Sequence, residues 1–289
     1  MLNPSWPGLL LNAVLAAEEA GSTFTSHAIE LDATDLALAA CLVITAGLVS
    51  FALRLGLERQ LTIAALRTVT QLLLIGYILR HIFELETLWA VGGWMAVMIA
   101  AASITAVRRS SRTYRGAQVY AFAVLVLSGL LTSYAVTGVV IGVTPWYQPQ
   151  YIIPLLGMIL GNSLNGISLC LDVLLERLKE HRHVVEMELA HGATRWEAAL
   201  PQLREAVRRG MIPIINSMMV VGVVSLPGMM TGQILAGADP LQAVKYQIVV
   251  MFMIGAATSV GCMFIAFITS YRLFNAKHQL QADAILSRR

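Results

Sequence analysis

Met211-Ile-Pro-Ile-Ile-Asn-Ser-Met-Met-Val-Val-Gly-Val-Val-Ser-Leu-Pro-Gly-Met-Met-Thr-Gly-Gln-Ile-Leu-Ala-Gly237 carries no charged side chain. A helix rises about 1.5 Å per residue and the hydrocarbon core of a bilayer is about 30 Å thick, so about 20 such residues suffice to cross it. Pro227-Gly228 interrupts the run. Proline lacks an N–H and collides with the preceding turn, which frees carbonyls that must find a polar setting inside a membrane. Broken helices of this kind line transport sites. The run therefore predicts a membrane protein with a path or gate near Asn216, Ser217, Pro227, Met229, Met230, Thr231 and Gln233. Its methionine pairs, Met218-Met219 and Met229-Met230, have two readings. Their thioethers suit soft metals such as Cu(I), and methionine also fills irregular gaps in packing.

The rest of the chain agrees. Of 289 residues, 57% are hydrophobic and only 13% charged, with a mean hydropathy of +0.70. Soluble domains carry about 25% charged residues, so an ordinary soluble enzyme and a disordered chain are both excluded. The net charge of +3 is too small and too dispersed for nucleic acid. Six further stretches read as spans: Leu36–Leu53, Leu61–Leu79, Leu88–Val107, Ala117–Ile141, Tyr151–Leu175 and Lys245–Ser270. With Met211–Gly232 they make an all-α polytopic protein of seven transmembrane helices. Residues 1–35 are expected to lie at the extracytoplasmic face, 36–270 to form the permease domain, and 271–289 to form a cytoplasmic tail. Cys41, Cys170 and Cys262 sit in apolar runs at no metal or disulfide spacing and read as packing residues. No metal-ligand set is identified.

The basic residues orient the spans. Segments 54–60, 108–116, 176–210 and the tail from Tyr271 hold two, four, seven and four of the 20 Lys and Arg, and the loops between them hold almost none. The positive-inside rule then places the N-terminus outside and the C-terminus in the cytoplasm. The expected location is the inner (plasma) membrane. The outside loops are too short to dock a binding protein, which favours export.

Polar residues within spans must face protein or water. In the fifth span Asn162, Asn165, Ser168 and Asp172 fall on one side, Ser163 is a further candidate for the path, and Asp172 is the single carboxylate inside any expected span. They read either as a translocation path or as hydrogen bonds that hold the bundle. Gly157 and Gly161 form a small-xxx-small pair suited to close helix approach. In the second span Arg67 and Gln71 share a face, and Asp172 is the candidate partner for Arg67.

The one long connection, 176–210, is cytoplasmic and keeps a helical apolar pattern. Within it, Glu186 stands six residues before Gly192, with a second helical stretch beyond. This resembles the coupling loop of ABC-transporter permeases, although Met187 and Glu188 stand where that family has two alanines. A plain surface hairpin with Gly192 ending its first helix would carry the same spacing. None of the three lysines follows a glycine, so the chain has no phosphate-binding loop and any ATPase is a separate subunit.

The run Asn216-Ser-Met-Met…Val-Ser-Leu-Pro-Gly-Met-Met-Thr-Gly-Gln-Ile-Leu-Ala-Gly, with Pro240 and Gln247 after it, is similar to the signature of the Fet-type ABC permeases. So are Gly157-Met-Ile-Leu-Gly-Asn-Ser-Leu-Asn-Gly and Glu186…Leu-Ala-His-Gly-Ala-Thr. The likeness runs from about Leu36 to the C-terminus. It implies an exporter-type permease, expected as a homodimer in the lipid bilayer, paired with an ABC ATP-binding subunit that carries the ATP and Mg. This chain itself is expected to bind no cofactor. Bacterial members of that family are associated with iron efflux, and plant relatives with aluminium tolerance and UDP-glucose transport. Glu186, Glu188, Gly192, Ala193, Thr194 and Arg195 are expected to couple to the ATPase. Export of iron or another metal is the expected function, with export of UDP-glucose or a related nucleotide sugar as the alternative. An ion-driven secondary transporter is a further rival, disfavoured by the single carboxylate and the lack of an inverted repeat. An intramembrane enzyme would need an acid–base or metal constellation that the sequence does not offer.

Overall fold

The computed structural model describes residues 32–85, 87–275 and 277–287; the segment 1–31, with most of the expected N-terminal region, lies outside the described residues. Nine α-helices run through the described chain: α1 Ala33–Ala52, α2 Glu58–Leu85, α3 Leu88–Arg109, α4 Ala117–Tyr134, α5 Pro149–Glu180, α6 Arg182–Ala190, α7 Arg195–Val220, α8 Gly228–Leu235 and α9 Pro240–Leu273. A π-helical turn, Ala135–Val140, extends α4. Helices dominate because each pairs its own backbone groups, which lipid cannot do.

Six of these elements are long and apolar enough to cross a membrane: Thr34–Ala52, Glu58–Glu84, Leu88–Arg109, Ala117–Val140, Pro149–Glu180 and Pro240–Leu273. The seventh expected span, Met211–Gly232, is not one helix. The apolar half of α7 ends at Val220, the chain turns through 221–227, and α8 begins at Gly228. The break comes before Pro227 because Gly222 takes a left-handed φ of +85°, a conformation that glycine adopts without penalty. Its N–H then donates to the Ser225 carbonyl, 2.9 Å away, and closes the turn.

α5 is the central post. Helices α3, α4, α9 and α7 follow one another around it, each packed on its neighbour, and α2 joins from the α3 side. The ring is open between α3 and α7. There α5 exposes one continuous stripe, Pro154, Gly161, Asn165 and Leu169. Its buried side, with Leu156, Leu171, Leu174 and Leu175, fills the core. The α1–α2 hairpin stands apart, its long helices almost wholly exposed to the surroundings.

The closest helix crossing is not at the expected glycine pair. A Cβ at Gly161 would meet nothing within 4 Å, and one at Gly157 would only touch Met98 Cε at 3.4 Å. The tight pair is Gly166 on α5 and Gly210 on α7, where each Cβ would lie 3.0 Å or less from the other residue's carbonyl oxygen. Sequence spacing within one helix cannot reveal a glycine pair formed between two.

The basic end of the bundle is tied together by a polar seam. Asp172 accepts from Ser111 N–H (2.8 Å), Ser111 Oγ (2.6 Å) and Ser110 Oγ (3.2 Å). Arg112 reaches Glu176 at 2.8 Å and Glu180 at 3.7 Å, and Arg109 donates to Asn165. The C-terminal segment joins the seam. Leu286–Ser287 pairs antiparallel with Arg112–Thr113, and Leu280, Ala282 and Ile285 are buried in the main core. Within the expected tail, the described segment to Ser287 is thus a strap folded over this end.

Candidate functional site

A cavity of about 260 Å³ lies where α7 breaks, walled by Met158 and Asn162 from α5, Ser217 from α7, the 221–227 turn, Met229 from α8, and Gln247 and Met251 from α9. The break creates it, because a continuous helix would fill that space with side chains and leave no free backbone. No side chain caps the first turn of α8, so the N–H groups of Gly228 and Met229 remain available at the wall. Gln247 is 6% exposed, and its Oε1 has no hydrogen-bond partner among the described residues. A buried amide oxygen left unpaired costs free energy, so a site that supplies a donor from a ligand or water would relieve it. The wall sets hydroxyl, amide and thioether groups among the aliphatic side chains of Ile214, Val221, Val250 and Ile254, with no carboxylate or imidazole.

Of the residues expected on the path, Asn162, Ser217, Pro227 and Met229 meet at this cavity. Asn162 Nδ2 also donates to the Met158 carbonyl at 2.9 Å. The others lie elsewhere. Ser163 is fully buried against α9, its Oγ 3.4 Å from Thr258 Oγ1. Thr231 Oγ1 bonds the Pro227 carbonyl at 3.1 Å. Met230 packs at 7% exposure, and the Gln233 amide oxygen is buried outside the cavity wall. Asp172 is spent on the 110–111 corner instead of on Arg67. Arg67 and Gln71 on α2 and Asn216 on α7 are exposed. Gln247, quoted from the sequence only as part of the resemblance and not as a path residue, also stands on this wall. An amide inside the apolar run Lys245–Ser270 was the signal available.

At the far end of α7 sits the hairpin containing Glu186 and Gly192. α6 ends in a Schellman motif, with Gly192 N–H on the Leu189 carbonyl and Ala193 N–H on the Glu188 carbonyl, both 3.1 Å. Gly192 has φ +93° and open space around its Cα. The next helix opens with a reciprocal capping box: Glu197 N–H donates to Thr194 Oγ1 at 3.3 Å, and Thr194 N–H donates to Glu197 Oε2 at 2.8 Å. The Thr194 N–H first, and then the Thr194 hydroxyl, which also donates to Glu197 Oε2 at 2.8 Å, hold the Glu197 carboxyl below its usual value. Arg195 lies over the Tyr271 ring at 4.2 Å, and Trp196 packs on Phe267, so the start of α7 is fastened to the end of α9. Glu186 accepts from Arg182 Nε at 2.7 Å, and Arg182 also stands 3.7 Å from Asp283 of the strap. Glu186 and Glu188 remain exposed, and a groove of about 1000 Å³ separates α6 from the strap.

A multi-pass helical bundle with a ligand-sized cavity at a broken helix, and an exposed hairpin at the other end of that same helix, defines a membrane protein of transport type. The chain belongs to the family described as "Uncharacterised protein family (UPF0014)", whose model matches residues 33–274. It is 40% identical over 228 residues to "UPF0014 membrane protein slr1647" of Synechocystis, covering 78% of this chain and 86% of that one. It is 31% identical over 245 residues to "Probable iron export permease protein FetB" of Escherichia coli, covering 85% and 93%. It is 32% identical over 255 residues to "Protein ALUMINUM SENSITIVE 3" of Arabidopsis thaliana, covering 87% and 90%. No solved structure matches.

Proposed function

We propose that this chain is the membrane subunit of an ABC transporter, working as a homodimer with a separate ATP-binding subunit that holds the ATP and Mg. One observation carries the reading. α7 is a single helix, about 39 Å long at 1.5 Å per residue, that joins the Glu186–Gly192 hairpin to Ser217 at the cavity wall. Movement of the hairpin by an ATPase is thereby a movement of the cavity. In this reading α7 and α8 together make one crossing, the N-terminus lies outside, and Glu186, Glu188, Gly192, Ala193 and Thr194 face the ATPase. Arg195, bound to Tyr271, transmits motion to α9.

The cargo we propose is iron or another metal, in line with the name of the Escherichia coli relative. It would pass thioether, amide, hydroxyl and carbonyl groups. The second reading, a nucleotide sugar, is favoured by the carboxylate-free wall and by the open N–H groups of α8, which suit oxyanions. The test is ATP hydrolysis by this chain reconstituted with its cognate ATPase and titrated with ferrous iron and, separately, with UDP-glucose. Stimulation by iron alone supports metal export, and stimulation by the sugar nucleotide alone replaces it. Gly192→Trp should insert normally yet abolish stimulation. Full stimulation in that variant would overturn the coupling role of the hairpin.

A further inference from the structure

The open sector of the bundle presents three polar groups that a single chain leaves without partners. Arg67 and Gln71 lie one turn apart on α2, exposed, with no hydrogen bond or ion pair among the described residues. Asn216 lies exposed on α7, also without one. All three are flanked by apolar, exposed neighbours: Leu66, Leu74 and Tyr77 on α2, and Ile212, Ile215 and Met219 on α7. Single apolar residues facing outward are what lipid requires. A guanidinium within a span is not, and intramembrane charges face protein or water.

The two patches also stand at the same depth. The end of α3 at Arg109 and the end of α5 at Asp172–Glu180 lie at one face, tied by the seam described above, and α7 crosses α5 at Gly210–Gly166, next to Asn165. α2 meets α3 through a connection of two residues, so its beginning at Glu58 lies at that same face. α2 runs back along α3, so Arg67, eighteen residues before Leu85, is level with about residue 106 of α3, about 5 Å from Arg109 along the axis, and Asn216 is six residues past Gly210, about 9 Å from the crossing with Gly166. The two patches flank one opening, between α3 and α7, floored by Gly161 and Asn165 of α5. They are chemically complementary, since a guanidinium only donates and an asparagine carbonyl accepts. Pro213 adds an acceptor by freeing the carbonyl of Arg209.

We propose that a second copy of this chain closes the opening around a twofold axis, with Arg67 and Gln71 of each copy facing Asn216 of the partner subunit. A twofold pairing needs a self-complementary surface, and a donor patch and an acceptor patch at equal depth on either side of one opening provide it. The Gly161–Asn165 stripe then lines the space between the copies. The inference rests on the homodimer proposed above and specifies its interface.

The experiment uses two differently tagged full-length chains co-expressed with the cognate ATPase, both carrying Cys41→Ala because Cys41 is exposed. Arg67→Cys in one chain and Asn216→Cys in the other should give a disulfide-linked dimer on oxidation of the membranes. Arg67→Cys with Phe252→Cys, on the outer side of α9, should give none. A charge exchange guards against simple misfolding. Asn216→Arg, which sets like charges face to face, should cut co-purification of the two tags at least tenfold, and adding Arg67→Asn should restore it. The interface is overturned if wild-type tags co-purify while the 67–216 pair does not cross-link, or if the exchange fails to restore pairing. If wild-type tags never co-purify, the sector faces lipid and the homodimer reading falls with it.

Discussion

Gly210→Ala should be far more damaging than Gly161→Ala, although both are glycines at helical positions in the bundle. A Cβ at residue 210 would lie 2.8 Å from Cys170 Cβ, 2.8 Å from the Gly166 carbonyl oxygen and 2.9 Å from Cys262 Sγ. None of these is the far end of a flexible side chain, so α5 and α7 must separate. Overpacking of this kind costs about 1–3 kcal/mol, and backbone contacts put the site at the upper end of that range. Replacing glycine by alanine inside a helix returns about 1 kcal/mol, which leaves Gly210→Ala destabilised by about 2 kcal/mol. At residue 161 a Cβ meets nothing within 4 Å, so only the helix gain of about 1 kcal/mol remains. The two variants should therefore differ by about 3 kcal/mol. For a chain of this size each kcal/mol moves the unfolding midpoint by about 2–4 °C, a separation of about 6–12 °C. Thermal unfolding in detergent, followed by the recovery of monodisperse protein, measures it. Midpoints within about 2 °C of each other would refute the helix crossing described here.

Three further outcomes follow from named contacts. Arg67→Ala and Asp172→Ala should show no coupling in a double-mutant cycle of thermal stability, because Asp172 bonds Ser110 and Ser111 instead. Asp172→Ala alone should cost about 1–3 kcal/mol through the abandoned donors, and a coupling energy above about 0.5 kcal/mol would restore the direct pair. At the start of α7, Thr194→Ala should cost about 1 kcal/mol of local helix stability, seen as faster amide exchange across 195–199. Because its bonds from Thr194 hold the Glu197 carboxyl below the usual carboxylate range, the cap should be intact above that range and be lost as pH falls through the lower folded value. Protection at 195–199 that does not weaken on acidification would refute the cap. At the cavity, Gln247→Leu removes an amide whose oxygen has no partner, so stability should hold or rise while cargo-stimulated ATP hydrolysis falls. Unchanged stimulation would remove Gln247 from the path.

The parts of this protein that can be read in the sequence are those decided within one element. Burial in lipid forces a helix wherever an apolar run is long enough, so the expected spans at Leu88–Val107 and Ala117–Ile141 differ from Leu88–Arg109 and Ala117–Val140 by at most two residues. The Glu186–Gly192 hairpin is similarly local: glycine ends one helix, and the Thr194…Glu197 box starts the next. The stripe on α5 was visible too, but what it does depends on the neighbours of each residue. Asn165 turns to Arg109, Asp172 to Ser111, and only Asn162 to the cavity, while Ser163, off the stripe, turns to Thr258. The polar residues of one helix thus divide among α9, α3, the 110–111 corner and the cavity, and spacing along a single helix cannot distinguish these destinations. The same reasoning explains the broken span. Pro227 announces an interruption, yet the helix stops at Val220 because Gly222 can take the left-handed turn and a proline can only follow it. What the break leaves behind is a cavity whose wall, among the described residues, carries no carboxylate and one amide oxygen without a hydrogen-bond partner, Gln247 Oε1.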